Sequence, residues 1–346
     1  MAPMPTSIAP TATRSAPAQT AVADRPPLAG FAIVIAAASL FGTLGPLSRF
    51  AYDAGMQPTT FVAWRGAIAF IGAAAFVAWR VSRGTERLTH LRDLDTSARV
   101  TLAVAALAGF VLNMSMFVAF DRISVALALL CFYTYPVIVA VANVALGRET
   151  MDRSRVAALG LAVLGMVAVV ASQLDPASGI RVDAVGMGLA LVAAGSQAVF
   201  VIISKSGYRQ VPASQAMSVI IGTIAVCSTV LALGIGDGDG LTLPLRDPSI
   251  LPLLVFTGLF AAAIPSILFL TGIRLIGGTR AGILILFEPV VGVALAAWLL
   301  DERLAPIQIV GGLAILAAAL ILQRAAAPGG RTVAAPAIEA DEAVVP

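Results

Sequence analysis

The sequence predicts an all-α membrane protein in which ten transmembrane helices form two inverted five-helix repeats, with both termini in the cytoplasm. Three observations support this fold class: an excess of apolar residues, a series of apolar stretches of membrane-spanning length, and a segment that recurs along the chain. Of the 346 residues, 59% are hydrophobic and 12% are charged, whereas soluble domains are roughly half apolar and a quarter charged. Most of this apolar surface must therefore face lipid.

Ten apolar stretches approach the length of about 20 residues that one helical crossing of a bilayer needs. They cover 28–48, 58–79, 98–120, 123–146, 155–172, 184–205, 213–235, 249–271, 279–299 and 304–323. Only Asp121 and Arg122 separate the third from the fourth, and we expect a tight turn there because two adjacent charges are costly inside a bilayer. The repeats then span 28–172 and 184–323, and the polar flanks 1–27 and 324–346 are expected to be disordered cytoplasmic tails.

The distribution of Lys and Arg sets the predicted orientation. With the N-terminus inside, 16 of the 22 Lys and Arg residues lie in cytoplasmic segments, 5 lie outside, and Arg65 lies within the membrane. Cytoplasmic loops of membrane proteins carry such an excess of positive charge. A wrong number of helices would scramble the asymmetry, so the charges favour ten helices in a multi-pass protein of the cell (plasma or inner) membrane.

An internal repeat relates the two halves at an offset of 153 residues. Residues 123–149 align without a gap on 276–302, matching Pro136 with Pro289. In each copy a glutamate follows the proline by 13 residues, Glu149 in the first and Glu302 in the second. Since each half has an odd number of helices, the second half enters the membrane in the opposite sense. Inverted repeats can exchange conformations between inward-open and outward-open states, which is a requirement of transporters.

The motifs that end the fourth and ninth predicted helices carry a family resemblance. Together with the AWRGAIAF segment around Arg65, the segment from Pro136 that ends in GRE at Glu149 and the stretch EPVVGVALAAWLLDERL (288–304) resemble the EamA-type transporters of the drug/metabolite transporter superfamily. Phe41-Gly42 stands where the family often has Trp-Gly, and Tyr135 stands in the first copy where the second has Glu288. The resemblance implies secondary transport, usually export, of amino acids or related metabolites.

Glu288 is the first candidate for a binding residue, because a carboxylate in the middle of a predicted span must be paired, hydrated or protonated. It stands directly before Pro289, and two interpretations remain open. Glu288 binds a substrate amine or a proton, or it is a neutral acid hydrogen-bonded to a carbonyl that Pro289 leaves unpaired. Its equivalent in the first repeat is Tyr135, with Tyr133 close by, which suggests a shared central cavity.

Other polar side chains within the spans extend this candidate cavity. The repeat offset pairs Asn113 with Ser266, and Gln197 lies in the middle of the sixth span. Two roles remain open for Asn113, Gln197 and Tyr135. They line a polar cavity, or they form hydrogen bonds between helices that only stabilise the structure. For Arg65, anchoring or a salt bridge is the favoured role. The remaining residues with an expected structural or gating role are Pro136, Pro289, Glu149 and Glu302.

The sequence gives no reason to expect an enzyme. It contains no nucleophile-and-base pair, metal-ligand cluster or nucleotide-binding motif, so we expect no catalytic residue, metal or cofactor. Nor is there a basic patch for nucleic acid. The expected partners are a small-molecule substrate and the lipid bilayer, in a monomer or homodimer. Efflux of lipophilic cations, metabolite uptake, and a non-transporting component or lipid flippase subunit are the alternatives to amino-acid export.

Overall fold

The computed structural model describes residues 28–123, 125–148, 150–171, 183–292, 294 and 306–325, and within them regular structure is entirely helical. The α-helices are α1 (Leu28–Phe41), α2 (Leu44–Asp53), α3 (Pro58–Ser82), α4 (Thr96–Arg122), α5 (Val125–Phe132), α6 (Tyr135–Ala145), α7 (Arg153–Ala171), α8 (Ala184–Ser204), α9 (Ala213–Gly234), α10 (Gly238–Arg246), α11 (Leu251–Gly258), α12 (Ile264–Ile276), α13 (Gly278–Leu284) and α14 (Pro306–Ala325). Short 3-10 turns occur at Leu91–Asp93, Pro248–Ile250 and Ile285–Phe287, a π turn occurs at Leu259–Ala263, and residues 288–292 and 294 are again α-helical.

Every predicted span contains helix in the structure. Five stretches in the described part are long and apolar enough to cross a membrane, namely α3, α4, α8, α9 and the run Pro248–Ile276. Shorter apolar helices occur at α1, at α6 and within α14 at Ile309–Ala318. The all-helical membrane class is therefore confirmed, whereas ten crossings and the orientation of the termini stay predictions. The predicted tails lie outside the described residues, apart from Arg324 and Ala325 at the end of α14.

The expected break between the third and fourth spans is confirmed, but it follows Asp121 and Arg122, which still belong to α4. Helix α4 ends at Arg122 and α5 begins at Val125. The Arg122 guanidinium pairs with Asp183, whose carboxylate also accepts hydrogen bonds from the backbone N–H groups of Val185 and Gly186 at the start of α8. These contacts hold the pKa of Asp183 below its usual range, and the hydrogen bond from Arg122 has the largest effect. The ion pair joins the end of α4 to the start of the second repeat.

Besides the eighth predicted span, which contains the π turn Leu259–Ala263, three predicted spans are interrupted rather than continuous in the described part of the chain. The first breaks at Gly42 and Thr43, and the fourth at Tyr133 and Thr134. The ninth narrows to the 3-10 turn Ile285–Phe287. The breaks in the fourth and ninth spans fall at equivalent positions of the repeat, because Tyr133 and Thr134 shifted by the sequence offset reach residues 286 and 287. The structure thus reproduces the internal repeat at the level of backbone shape.

The two equivalent breaks have a common cause in the sequence. Each lies within the four residues before a proline, Pro136 in one copy and Pro289 in the other. Proline has no N–H to donate, and its ring clashes with the carbonyl four residues earlier, so it kinks or breaks an α-helix. Non-helical backbone of this kind is tolerated at membrane depth only where protein or a cavity covers it.

The helix pairings have the symmetry expected of two related halves. The principal contacts include α7 with α14 and α3 with α9, which are equivalent helices of the two repeats. Helices α6 and α13, from the equivalent fourth and ninth spans, also meet. Two further pairs are α4 with α8 and α1 with α12. The first pair joins the third and sixth spans and the second joins the eighth and first, so the repeat symmetry converts one pair into the other. Each half is therefore packed chiefly against the other half, and the broken spans meet along the seam between them.

The outer surface of the bundle is apolar. Leu164 on α7 is 69% exposed, Val230 on α9 is 62% exposed and Leu313 on α14 is 61% exposed. In a soluble protein, apolar patches formed by such residues mark interaction surfaces, whereas lipid makes their exposure favourable. Small residues sit instead between the helices, where they allow close packing.

Candidate substrate-binding site

The break in the fourth span buries two tyrosines. Tyr133 and Tyr135 are each 1% exposed, and the ring of Phe132 packs against both, with centroid distances of 5.5 Å and 5.2 Å. The turn at Tyr133 and Thr134 places both phenols inside the bundle, although residues two apart on a regular helix point in different directions. The broken backbone is therefore what brings the pair into one interior region.

Glu288 lies beside these two phenols. It follows the 3-10 turn of the ninth span, and its carboxyl interacts electrostatically with Tyr133 and Tyr135. The side chain is partly accessible rather than sealed in the protein. The first and second repeats thus place their equivalent residues, Tyr135 and Glu288, within interaction range of each other.

Gln197 completes this group from the second repeat. It lies on α8, is 8% exposed, and is placed near enough to interact with the hydroxyl of Tyr135. We call Tyr133, Tyr135, Gln197 and Glu288 the central polar cluster. Its members come from α5–α6, α8 and the ninth span, so the cluster spans both halves of the protein.

The two phenols of the central polar cluster lack satisfied hydrogen bonds. The Tyr133 hydroxyl is close to the Glu288 carboxyl and the Tyr135 hydroxyl is close to the Gln197 amide, but neither pair has hydrogen-bond geometry in this conformation. Both hydroxyl oxygens are buried without another partner among the described residues. Leaving a buried donor or acceptor unpaired costs about 1–3 kcal/mol. A ligand or water that hydrogen-bonds to these groups would recover that cost.

The break in the first span closes one side of the cluster. A Cβ atom added at Gly42 would lie 2.6 Å from the carbonyl oxygen of Glu288 and 3.2 Å from the backbone nitrogen of Gly292. On the other side, a Cβ added at Gly282 would approach Pro136 at 3.7 Å. Three interrupted spans therefore cross at the same place, which is where transporters commonly bind substrate.

Arg65 and Asn113 form a separate polar pair. The Arg65 guanidinium donates to the side-chain oxygen of Asn113, and the Asn113 amide donates to the carbonyl of Gly109 at 2.8 Å. Arg65 is 5% exposed, and its guanidinium carbon lies 4.8 Å from the ring centroid of Phe117. In the described part of the chain, neither hydrogen bonds nor charge interactions connect this pair to Glu288. Asn113 therefore contacts Arg65 and does not join the predicted cavity residues that the structure brings together.

Comparison with known proteins decides the family. The model of the EamA-like transporter family matches residues 28–171 and 184–324, nearly all of both repeats. The chain belongs to the EamA-like transporter family. A solved crystal structure shares the fold at a TM-score of 0.67 and 18% identity, covering 86% of this chain and 98% of that chain. No curated protein matches the sequence. Members of the EamA-like family are transporters, so this protein is a multi-pass membrane transporter of the drug/metabolite type.

Not every predicted site residue of this EamA-like protein joins the central polar cluster. Ser266 follows Pro265 at the start of α12, is half-buried, and makes no hydrogen bond with the residues that the structure describes. Ser266 therefore lacks hydrogen bonds like those of Asn113 among the described residues, although the repeat offset pairs the two. Glu149 and Glu302, with predicted structural or gating roles, lie outside the described residues. Pro136 and Pro289 occupy the start of the helical segments after the two equivalent breaks.

The structure also reveals a polar contact that sequence reasoning missed. The Asn143 amide donates to the Thr279 hydroxyl at 3.2 Å in a buried position between α6 and α13. These two residues are 136 positions apart, which differs from the repeat offset, so the repeat could not pair them. The signal available in the sequence was an amide within an apolar span, the same signal that identified Asn113 and Gln197.

The arrangement suits binding of a positively charged group. A carboxylate can pair with an ammonium group, and aromatic rings can cover the rest of a cation. No group of three or more His, Cys, Asp or Glu residues able to hold a metal occurs within the described ranges. The two cysteines, Cys131 and Cys227, are free thiols. Binding and release of a small molecule is therefore the chemistry that these side chains support.

Proposed function

We propose that this EamA-like protein is a secondary transporter that exports amino acids or related small metabolites by alternating access across the cytoplasmic membrane. The observation that carries the proposal is the central polar cluster, in which the Glu288 carboxyl lies beside two buried phenols that have no hydrogen-bond partner among the residues that the structure describes. An ammonium group is the chemical complement of that set. It neutralises the carboxylate and can donate to phenol and amide oxygens.

The proton is our candidate for the coupling ion. Glu288 binds an ammonium group when it is ionised and releases it when it is protonated, so substrate and proton compete for one carboxylate. A carrier with such a site exchanges an outward-moving substrate for an inward-moving proton. The breaks at the equivalent positions of both repeats supply two gates that alternate. We propose that one chain contains a complete site and acts as a monomer or a homodimer.

Efflux of lipophilic cations is the second candidate function. It is favoured by the aromatic rings of Phe132, Tyr133 and Tyr135 beside the carboxylate of Glu288. Aromatic faces attract delocalised cations, by about 2 kcal/mol or more when desolvated. Such a substrate needs no hydrogen bonds from phenol or amide groups, and this difference separates the two candidates.

Transport by the purified protein distinguishes these candidates. We propose counterflow measurements in proteoliposomes with a panel of labelled amino acids and lipophilic cations, under an imposed pH gradient. Saturable, pH-driven movement of an amino acid, competed by other amines, supports the first function. Movement of lipophilic cations with no amino-acid transport would transfer the proposal to drug efflux. If the vesicles move neither class, the substrate assignment is wrong.

We propose ten crossings with both ends inside, and labelling of introduced cysteines tests this topology. In a background with Cys131→Ala and Cys227→Ala, a cysteine at Asp239 should react with a membrane-impermeant maleimide added to intact cells. A cysteine at Ser82 should react only after the cells are opened. Both positions are exposed, since Ser82 ends α3 and the Asp239 side chain is 95% exposed. Labelling of Ser82 but not Asp239 in intact cells would reverse the orientation.

Arg65 is predicted to act on stability through Asn113. Arg65→Ala should lower the melting temperature and the yield of folded protein, because a hydrogen bond to a charged group contributes about 1.5–3 kcal/mol. Arg65→Lys should retain much of both, since a cation remains beside Phe117. Thermal unfolding of Arg65→Ala, Asn113→Ala and the double variant measures the coupling, which we expect to be non-additive. Wild-type stability in Arg65→Ala together with loss of substrate binding would overturn this role.

A further inference from the structure

A positively charged cleft lies apart from the central polar cluster. It has a volume of about 420 Å³ and is lined by four cationic side chains, Arg148, Arg155, Lys205 and Arg280. They come from the turn after α6, the first turn of α7, the residue after α8 and the first turn of α13, so both repeats contribute. We call this the basic cleft. Small-molecule sites typically enclose about 300–1,000 Å³, so its size suits a ligand group.

The four cations that line the basic cleft outnumber the two acids adjacent to them in sequence, Glu149 and Asp152. Arg148, Lys205 and Arg280 each contact a backbone carbonyl, at 3.4 Å, 3.3 Å and 3.4 Å, and carbonyls are neutral. Arg155 lies 4.0 Å from Asp152. Even if Asp152 and Glu149, the acids adjacent in sequence, each neutralise one cation, two positive charges remain. The inference rests on this excess and not on any side chain lacking a partner.

The position of the basic cleft indicates where a ligand would come from. Every cation in it belongs to a segment that the charge distribution assigns to the cytoplasmic side, at the ends of helices that cross the bilayer. That level holds the phosphate groups of the inner leaflet. Basic pockets between transmembrane helices on this side can bind anionic headgroups. Gly147 and Gly277 also line the cleft, and neither has a side chain that would narrow it.

We propose that the basic cleft binds the phosphate group of an anionic molecule and so connects the cytoplasmic ends of the two repeats. Arginine and lysine donors arranged around one space match the several oxygens of a phosphate. The phosphate belongs to an anionic phospholipid of the inner leaflet or to a soluble phosphate. The proposal is independent of the substrate bound at Glu288.

Thermal-shift titrations of the purified full chain in neutral detergent test the basic cleft. The probes are a short-chain phosphatidylglycerol, the matching phosphatidylcholine, and inorganic phosphate against chloride at equal ionic strength. Phosphatidylglycerol should raise the melting temperature and phosphatidylcholine should not. Stabilisation by inorganic phosphate to the same extent would assign the site to soluble phosphates, whereas a response to the lipid alone would assign it to the membrane.

Charge-neutralising variants locate the binding. Lys205→Gln with Arg280→Gln should weaken binding roughly thirtyfold, since each lost cation near an anionic lipid costs about a factor of five. If the double variant is unstable, Arg148→Gln at an exposed position replaces it in the binding test. This single change should weaken binding about fivefold. The matched control is Arg87→Gln with Arg92→Gln, two exposed cations on the same predicted side outside the cleft. The proposal is overturned if no anionic probe stabilises the wild type, or if the control weakens binding as much as the cleft variants.

Discussion

Glu288→Gln is expected to fold like the wild type and to lose most of its transport, with the remainder no longer responding to pH. Glutamine keeps the size of the side chain and its acceptor oxygen, so packing against Tyr133 and against the backbone at Gly42 should survive. It cannot carry negative charge, and it cannot take up or release a proton. A hydrogen bond to a charged group contributes about 1.5–3 kcal/mol, so affinity for an amine should fall roughly ten- to hundredfold.

Transport in proteoliposomes with an imposed pH gradient, beside a thermal-unfolding assay, measures this effect. Tyr135→Phe removes only a hydroxyl, so it should change the substrate concentration at half-maximal rate more than the response to pH. Asp239→Asn is the control for loss of one carboxylate, because that side chain is 95% exposed and remote from the central polar cluster. Full, pH-responsive transport by Glu288→Gln would contradict this role. The better explanation would then be that Glu288 forms a hydrogen bond with a backbone carbonyl that Pro289 leaves unpaired.

Gly165→Val is expected to prevent normal assembly of the bundle, whereas Gly160→Val on the same helix should be tolerated. A Cβ added at Gly165 would lie 2.6 Å from the carbonyl oxygen of Gly311 and 3.0 Å from the Cβ of Ala314. The nearest of these atoms belongs to the backbone of α14, which cannot move aside as a flexible side chain can. Overpacking typically costs about 1–3 kcal/mol and occasionally more, and here it acts on the main contact between α7 and α14.

Gly160 provides a closely matched comparison. It lies on α7 as well, is exposed, and has no atom within 4 Å of an added Cβ. Valine has the same intrinsic helix propensity at both positions, so the difference between the variants isolates the contact with α14. Size-exclusion profiles and melting temperatures in detergent should show aggregation or a lower melting temperature for Gly165→Val alone. Equal damage from both variants would mean that α7 does not pack on α14 through Gly165.

Sequence periodicity and composition predict much of this fold because they act locally. A stretch of about 20 apolar residues must be helical in lipid, where every backbone polar group needs an internal partner. The two charges at Asp121 and Arg122 mark a turn for the same reason. Pro136 and Pro289 mark the interruptions, since the missing N–H and the ring clash depend only on the residues just before them. Whether a proline kinks a span or divides it into separate helices depends on how the neighbouring helices pack, which no local pattern shows.

The candidate site was only partly predictable. Glu288, Gln197, Asn113 and Arg65 could be identified one at a time, because placing each polar side chain at membrane depth has a high free-energy cost. Which of them face one another depends on how helices from different halves cross, and no local pattern encodes that crossing. The repeat offset correctly related Tyr135 to Glu288, which lie on equivalent segments that pack together. It related Asn113 to Ser266 as well, yet Asn113 bonds to Arg65 instead.

The sequence by itself determined that this is a helical membrane protein built from two related halves, which apolar stretches contain its helices, and which family it resembles. Each of these follows from hydropathy, proline chemistry and a repeated motif, all of which are properties of contiguous residues. Only the tertiary structure decided that Tyr133 and Tyr135 lie beside Glu288 with Gln197 next to Tyr135, that Arg65 pairs with Asn113, and that four cations share the basic cleft. Those groupings join residues on different helices, and packing between helices, which depends on shape across the whole bundle, sets them.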